Sequence, residues 1–131
     1  MRLSAIITVS LFVAAYAMET GSAKPTLVEV WSGGDDGLTQ GLKVAIEDAF
    51  KSSPDFTLSS GKKPGALVVT IPTHVRWKQV GRRTKVFYTV EFASTDDHTL
   101  GASKGACWDD KLSKCATQIV KDAKTAARKI N

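Results

Sequence analysis

The chain has 131 residues, a formal net charge of +5, 43% hydrophobic and 24% charged residues. That length accommodates one ordinary domain and hardly two. Neither a phosphate loop nor a dinucleotide fingerprint is present, and no internal repeat or low-complexity tract, so nucleotide-dependent enzymes and repeat architectures are set aside.

Residues 1–17, MRLSAIITVSLFVAAYA, open with Met1-Arg2 and continue through an apolar run from Ile6 to Ala15. They end in the small-x-small pattern Ala15-Tyr16-Ala17, which predicts a cleavable secretory signal. An uncleaved anchor is the alternative, but the run is short for a bilayer span. No cysteine follows it for lipid attachment. The expected product is an exported soluble chain, periplasmic or secreted, whose net charge falls to +4 with the loss of Arg2. Residues 18–25, METGSAKP, read as a flexible leader, and 26–131 as a single domain.

TLVEVW, 26–31, alternates as a first strand. SGGDDG, 32–37, is a turn that brings Asp35 and Asp36 to the mouth of a helix, where a carboxylate can cap free backbone N–H groups. In that helix Leu38, Leu42, Ile46, Ala49 and Phe50 form one apolar stripe, and Ser53-Pro54 ends it. FTLSSG, 56–61, is a short strand before a Lys62-Lys63-Pro64-Gly65 turn. ALVVTIPTHVRWK, 66–78, reads as one long strand, with Val69, Ile71, Val75 and Trp77 on one face. Pro72 removes a backbone donor and predicts an edge position or a bulge. A hairpin turn around Gly81 leads into KVFYTVEFAS, 85–94, with Val86, Tyr88, Val90 and Phe92 on one face. After TDDHT, 95–99, LGASKGA, 100–106, is a small-residue strand. A helix starting at Trp108 carries Leu112, Cys115, Ile119, Ala123, Ala126 and Ile130. The expected fold is α+β, in the order β-α-β-β-β-β-α, an antiparallel-rich sheet with two helices on one face.

Cys107 and Cys115 are the only cysteines. Their spacing matches neither a CxxC redox pair nor a zinc knuckle. Eight residues of regular helix span about 12 Å, whereas a disulfide tolerates Cα atoms up to about 7 Å apart. For an exported chain, where thiols oxidise, Cys107 is therefore expected before the helix, folded back to bridge Cys115. Free thiols and a metal role are the alternatives.

Phe56 to Val90 contains no acidic residue but seven basic ones: Lys62, Lys63, Arg76, Lys78, Arg82, Arg83 and Lys85. Five of them crowd residues 76–85 around Trp77. Arg76, Trp77, Lys78, Arg82, Arg83 and Lys85 are the candidate binding residues, for phosphate, lipopolysaccharide, glycan or an acidic protein surface. No nucleic-acid motif accompanies them. A solvated hairpin whose charges protect an edge is the alternative. GGDDG lacks the spaced ligands and closing glutamate of a calcium loop. Asp96, Asp97 and His98 form a polar turn or a third-choice metal module. A small enzyme or inhibitor would need His74 or His98 near a carboxylate or hydroxyl in a concave pocket. No activated nucleophile motif is present, so no catalytic residue and no cofactor are assigned.

The order VEVW, LTQGLKVAIEDAF, SPDFTLSSG, ALVVTIPTHVRW and KVFYTVEFAS resembles the small α/β domains of bacterial envelope proteins of the TolB N-terminal and CsgG-like type. That resemblance spans roughly residues 26–130. It implies a periplasmic assembly or protein-interaction role without a cofactor, and it carries over no site residue. Together these readings predict an envelope accessory or binding protein. It would contact another envelope protein or an anionic ligand through a basic hairpin, with strand addition near Pro72 as one route.

Overall fold

The computed structural model describes residues 24–61 and 63–130; the expected signal at 1–17, leader residues 18–23 and Lys62 lie outside them. The elements are β1 (Thr26–Ser32), α1 (Gly37–Lys51), β2 (Phe56–Leu58), β3 (Leu67–Ile71), β4 (Arg76–Val80), β5 (Arg83–Ser94), β6 (Thr99–Trp108), and α2 (Leu112–Ala127) after a short 3-10 turn at Asp109–Lys111. The α+β architecture is the expected one, with one more strand than the sequence predicts. It is a mixed sheet: β1 pairs in parallel with β2 and β3, while β5 pairs antiparallel with β3, β4 and β6.

The extra strand comes from a break at residues 72–75. β6 occupies one edge of β5 from Lys85 to Ala93, so β3 and β4 must share the other edge, end to end. Pro72 has no N–H to donate. The next buried donor, Val75 N–H, is taken by Thr39 Oγ1 of α1 at 2.9 Å. Gly33 N–H donates to Ile71 O at 2.7 Å where β1 ends beside β3. A Cβ at Gly33 would lie 2.3 Å from Pro72 O, so only glycine allows this approach. β3 therefore lies inside the sheet, between β1 and β5, so the expected edge position does not hold for it, whereas β4, beyond the break, is a terminal strand.

Both helices cover one sheet face. Alternation places Val28, Val69, Val86, Val90 and Phe92 on it, all at most 1% exposed. Leu42, Ile46 and Phe50 of α1 and Ala116, Ile119 and Ala123 of α2 pack against them. Each large side chain so buried contributes about 1.5–3 kcal/mol. Tyr88 lies over Gly105, its partner across β5 and β6, where a Cβ would sit 2.7 Å from the phenol oxygen. Burial pushes the Tyr88 hydroxyl above its ordinary range, and it lies 3.3 Å from Ser103 Oγ. Ser103 in turn donates to Asp122 of α2 at 2.6 Å. This buried chain of polar contacts fixes α2 against β6.

β6 runs two residues beyond the expected strand, and α2 starts at Leu112 rather than Trp108. Asp109 and Asp110 consequently lie in the 3-10 turn, ahead of the helix. Cys107 is the last but one residue of β6, Cys115 lies in the first turn of α2, and the two are bonded with Cα atoms 5.8 Å apart.

Candidate functional site

The sheet face away from the helices is uncovered along β4, β5 and β6, and the strand register determines what stands on it. Arg76 of β4 lies opposite Phe87 of β5, which lies opposite Ala106 of β6. In the next row Lys78, Lys85 and Trp108 align, and beyond them Val80 faces Arg83. In the opposite direction Thr89 faces Lys104. Adjacent strands lie about 4.8 Å apart, and same-face residues along a strand about 7 Å apart. The result is a compact cationic field interleaved with two aromatic rings.

The rings are held by the charges. Arg83 lies over Trp108, 4.1 Å from its centroid, and its guanidinium meets Asp110 at 3.2 Å. Lys85 Nζ is 5.8 Å from the Phe87 centroid and 6.0 Å from that of Trp108. Arg76 approaches the Phe87 ring at 5.9 Å. Such contacts hold cations over ring faces without neutralising them. Among the described residues, Arg76, Lys78, Arg82, Lys85 and Lys104 have no carboxylate within salt-bridge distance.

Four of the six residues selected from the sequence therefore meet on one face: Arg76, Lys78, Arg83 and Lys85. Arg82 stands in the two-residue turn with Gly81, whose φ of +63° suits glycine. Trp77 pairs with Val86 and so points to the helix side of the sheet. It lies past the cover of the helices and is 59% exposed. Sequence reasoning missed Phe87, Lys104 and Trp108. Period-two alternation from Lys85 marks Phe87 as sharing its face, but Lys104 and Trp108 join only through the β5–β6 register.

Asp36, not Asp35, caps α1. Its carboxylate accepts the Thr39 N–H at 3.1 Å and the Thr39 hydroxyl at 2.7 Å. His74 Nδ1 approaches the same carboxylate at 2.5 Å. The Thr39 hydroxyl is the main cause holding the Asp36 carboxyl at about 2, below its ordinary 3.8, with burial working the other way. This His–Asp pair sits at an exposed helix mouth, where it ties the 72–75 break to α1. His98 is exposed, and its backbone N–H donates to Ser94 Oγ at 3.2 Å. Among the described residues no group of three or more His, Cys, Asp or Glu side chains is placed to hold a metal. No helix among them is long and apolar enough to cross a membrane.

No family model matches the sequence, and no curated protein matches it. Solved structures do share the fold. PelC from Paraburkholderia phytofirmans, described as a dodecamer, superposes with a TM-score of 0.52 at 13% identity, covering 81% of this chain and 89% of its own. The dodecamer of its single-substitution variant, in another crystal form, gives the same TM-score and identity over 80% and 88%. Protein XCC0632 from Xanthomonas campestris, of the DUF330 family model, superposes with a TM-score of 0.56 at 11% identity, covering 83% and 91%. These likenesses replace the TolB-type and CsgG-like resemblance, which the comparison does not show. The quoted hydrophobic pattern records the order of elements along the chain. It does not record which strands pair, and the pairing distinguishes one small α/β fold from another.

Proposed function

We propose that this chain is an exported accessory protein of a bacterial envelope that captures an anionic partner on the uncovered face of its sheet. The observation that carries the reading is the field formed by Arg76, Lys78, Lys85 and Lys104 around Phe87 and Trp108. Unpaired cations beside aromatic rings on an uncovered sheet face attract a polyanion and offer it an apolar footing. The proposed role is binding, and no catalytic residue is assigned to this face. The apolar run from Ile6 to Ala15 and the small-x-small pattern after it support export, and the envelope setting is part of the proposal. Assembly belongs to the same reading. The PelC structures are dodecamers, and the outer edge of the ten-residue β6, with no strand beside it among the described residues, is long enough to join copies by strand pairing.

The test is fluorescence anisotropy with labelled poly-glutamate, polygalacturonate and polyphosphate. The wild type should bind at least one of them, and the double variant Lys78→Glu/Lys85→Glu should bind it roughly tenfold or more weakly. Equal binding by the two proteins, or binding of none of the three, would sink the proposal. Circular dichroism confirms that the variant is folded.

A further inference from the structure

The same sheet face has a second half, distinct from the cationic one. Beyond Thr89 and Lys104 the positive charges stop and Glu91 follows. Here Trp31 of β1 lies opposite Thr70 of β3 and is 47% exposed. The ring is not loose. Its Nε1–H donates to Glu29 Oε1 at 3.2 Å. Glu29 is only 1% exposed, and its other oxygen accepts the Lys63 backbone N–H at 2.9 Å. A buried carboxylate with both oxygens bonded thus sets the orientation of a tryptophan whose surface is left to solvent.

That ring borders a cleft of about 440 Å³. Val68 and Thr70 form its floor, and Ser94 at the end of β5 with Thr95 and Asp97 of the β5–β6 turn flank it across from Trp31. Asp97 holds a φ of +67°, a left-handed conformation that asparagine and aspartate tolerate better than most residues. The volume falls within the roughly 300–1,000 Å³ of small-molecule sites.

We propose that this cleft binds a neutral sugar ring. A pyranose presents one face of polarised C–H groups and a rim of hydroxyls. The C–H face suits an indole, whose π face is electron-rich. The rim suits the Thr70 and Thr95 hydroxyls, which can donate and accept, and the Asp97 carboxylate, which accepts. A peptide side chain would call for a deeper apolar lining, and among the described residues Val68 is the only aliphatic side chain bordering the cleft. Fixing the indole in advance removes an ordering cost from binding. This site shares no residue with the cationic field and stands or falls without it.

The experiment is a titration of isotope-labelled protein followed by NMR. Trp31 indole N–H is identified by its loss in Trp31→Phe, and maltotriose, cellotriose, chitotriose and galactobiose are the probes. At least one probe should shift that signal saturably, with a Kd on the order of 1 mM. Thr70→Val and Asp97→Asn should each weaken the same probe by severalfold, while Lys78→Glu/Lys85→Glu leaves it unchanged. Absence of any shift with all four sugars at about 20 mM overturns the proposal. So does a shift confined to Trp77 or Trp108, or a proline-rich peptide moving the Trp31 signal where no sugar does.

Discussion

Thr39 carries an unusual share of the junction between the first helix and the sheet. It is fully buried, its N–H and hydroxyl both donate to Asp36, and the same hydroxyl accepts the Val75 N–H. A helix cap and a strand break are thus joined through one side chain. Asp36 makes the junction sensitive to acid. Its folded value of about 2 lies below its ordinary 3.8. A carboxyl lowered on folding adds stability above its unfolded value and loses it as the pH falls through the folded one. Asp36→Asn keeps a capping oxygen but removes the charge. The wild type should therefore melt higher than Asp36→Asn near neutral pH, and the gap should close between about pH 4 and about pH 2. Thermal melts of the two proteins across that range measure it, and a gap of constant size would show that the charge is not the cause.

At the scale of elements, much of the fold is legible because periodicity is local. Asp36 before an apolar stripe announces α1, and alternation from Val86 to Phe92 announces the buried face of β5. The break between β3 and β4 is not legible. Pro72 hints at it, but the partners that decide it, Gly33 and Thr39, come from elements far back in the chain. The cationic residues of the site are visible as an acid-free run. Their grouping with Lys104 and Trp108 depends on the register of β6, and the cleft at Trp31 depends on a turn more than sixty residues later. The cysteine junction is legible for a different reason: helix rise and disulfide reach are fixed quantities, and they force Cys107 off the helix. The bridge closes a loop with a sequence separation of 8. The chain-entropy model assigns such a loop about 2.5 kcal/mol. The double variant Cys107→Ser/Cys115→Ser should lose about that much in urea unfolding, with the slope against denaturant little changed. Hydrogen exchange should quicken first at the start of α2. Uniform quickening across the sheet would mean that the bridge holds more than this junction.

For the molecule as a whole, the distribution of charge matters more than the modest net value. Lys43 with Glu47, and Lys124 with Asp55, pair on the helical layer at 3.6 and 3.1 Å, whereas most cations of the uncovered face have no such partner. Lys78 and Lys85 are directly opposite each other on adjacent strands, an arrangement that costs the fold stability. Folding alone gives no reason to place two lysines there; binding of an anion gives one. Changing Lys78 to Glu converts the pair into opposite charges, a change worth about 0.2–1 kcal/mol in favour of the fold. Lys78→Glu should therefore unfold at higher urea than the wild type while binding poly-glutamate more weakly, so that stability and binding move in opposite directions. Salt should separate the two halves of the face as well. The Debye length shrinks from about 10 Å at 0.1 M to about 3 Å at 1 M. Over that range polyanion binding should collapse in the wild type, and sugar binding at Trp31, which involves no ligand charge, should hold. A Lys78→Glu protein that is less stable and binds poly-glutamate as before would show that the lysines serve the fold, leaving the cationic field as a solvated edge.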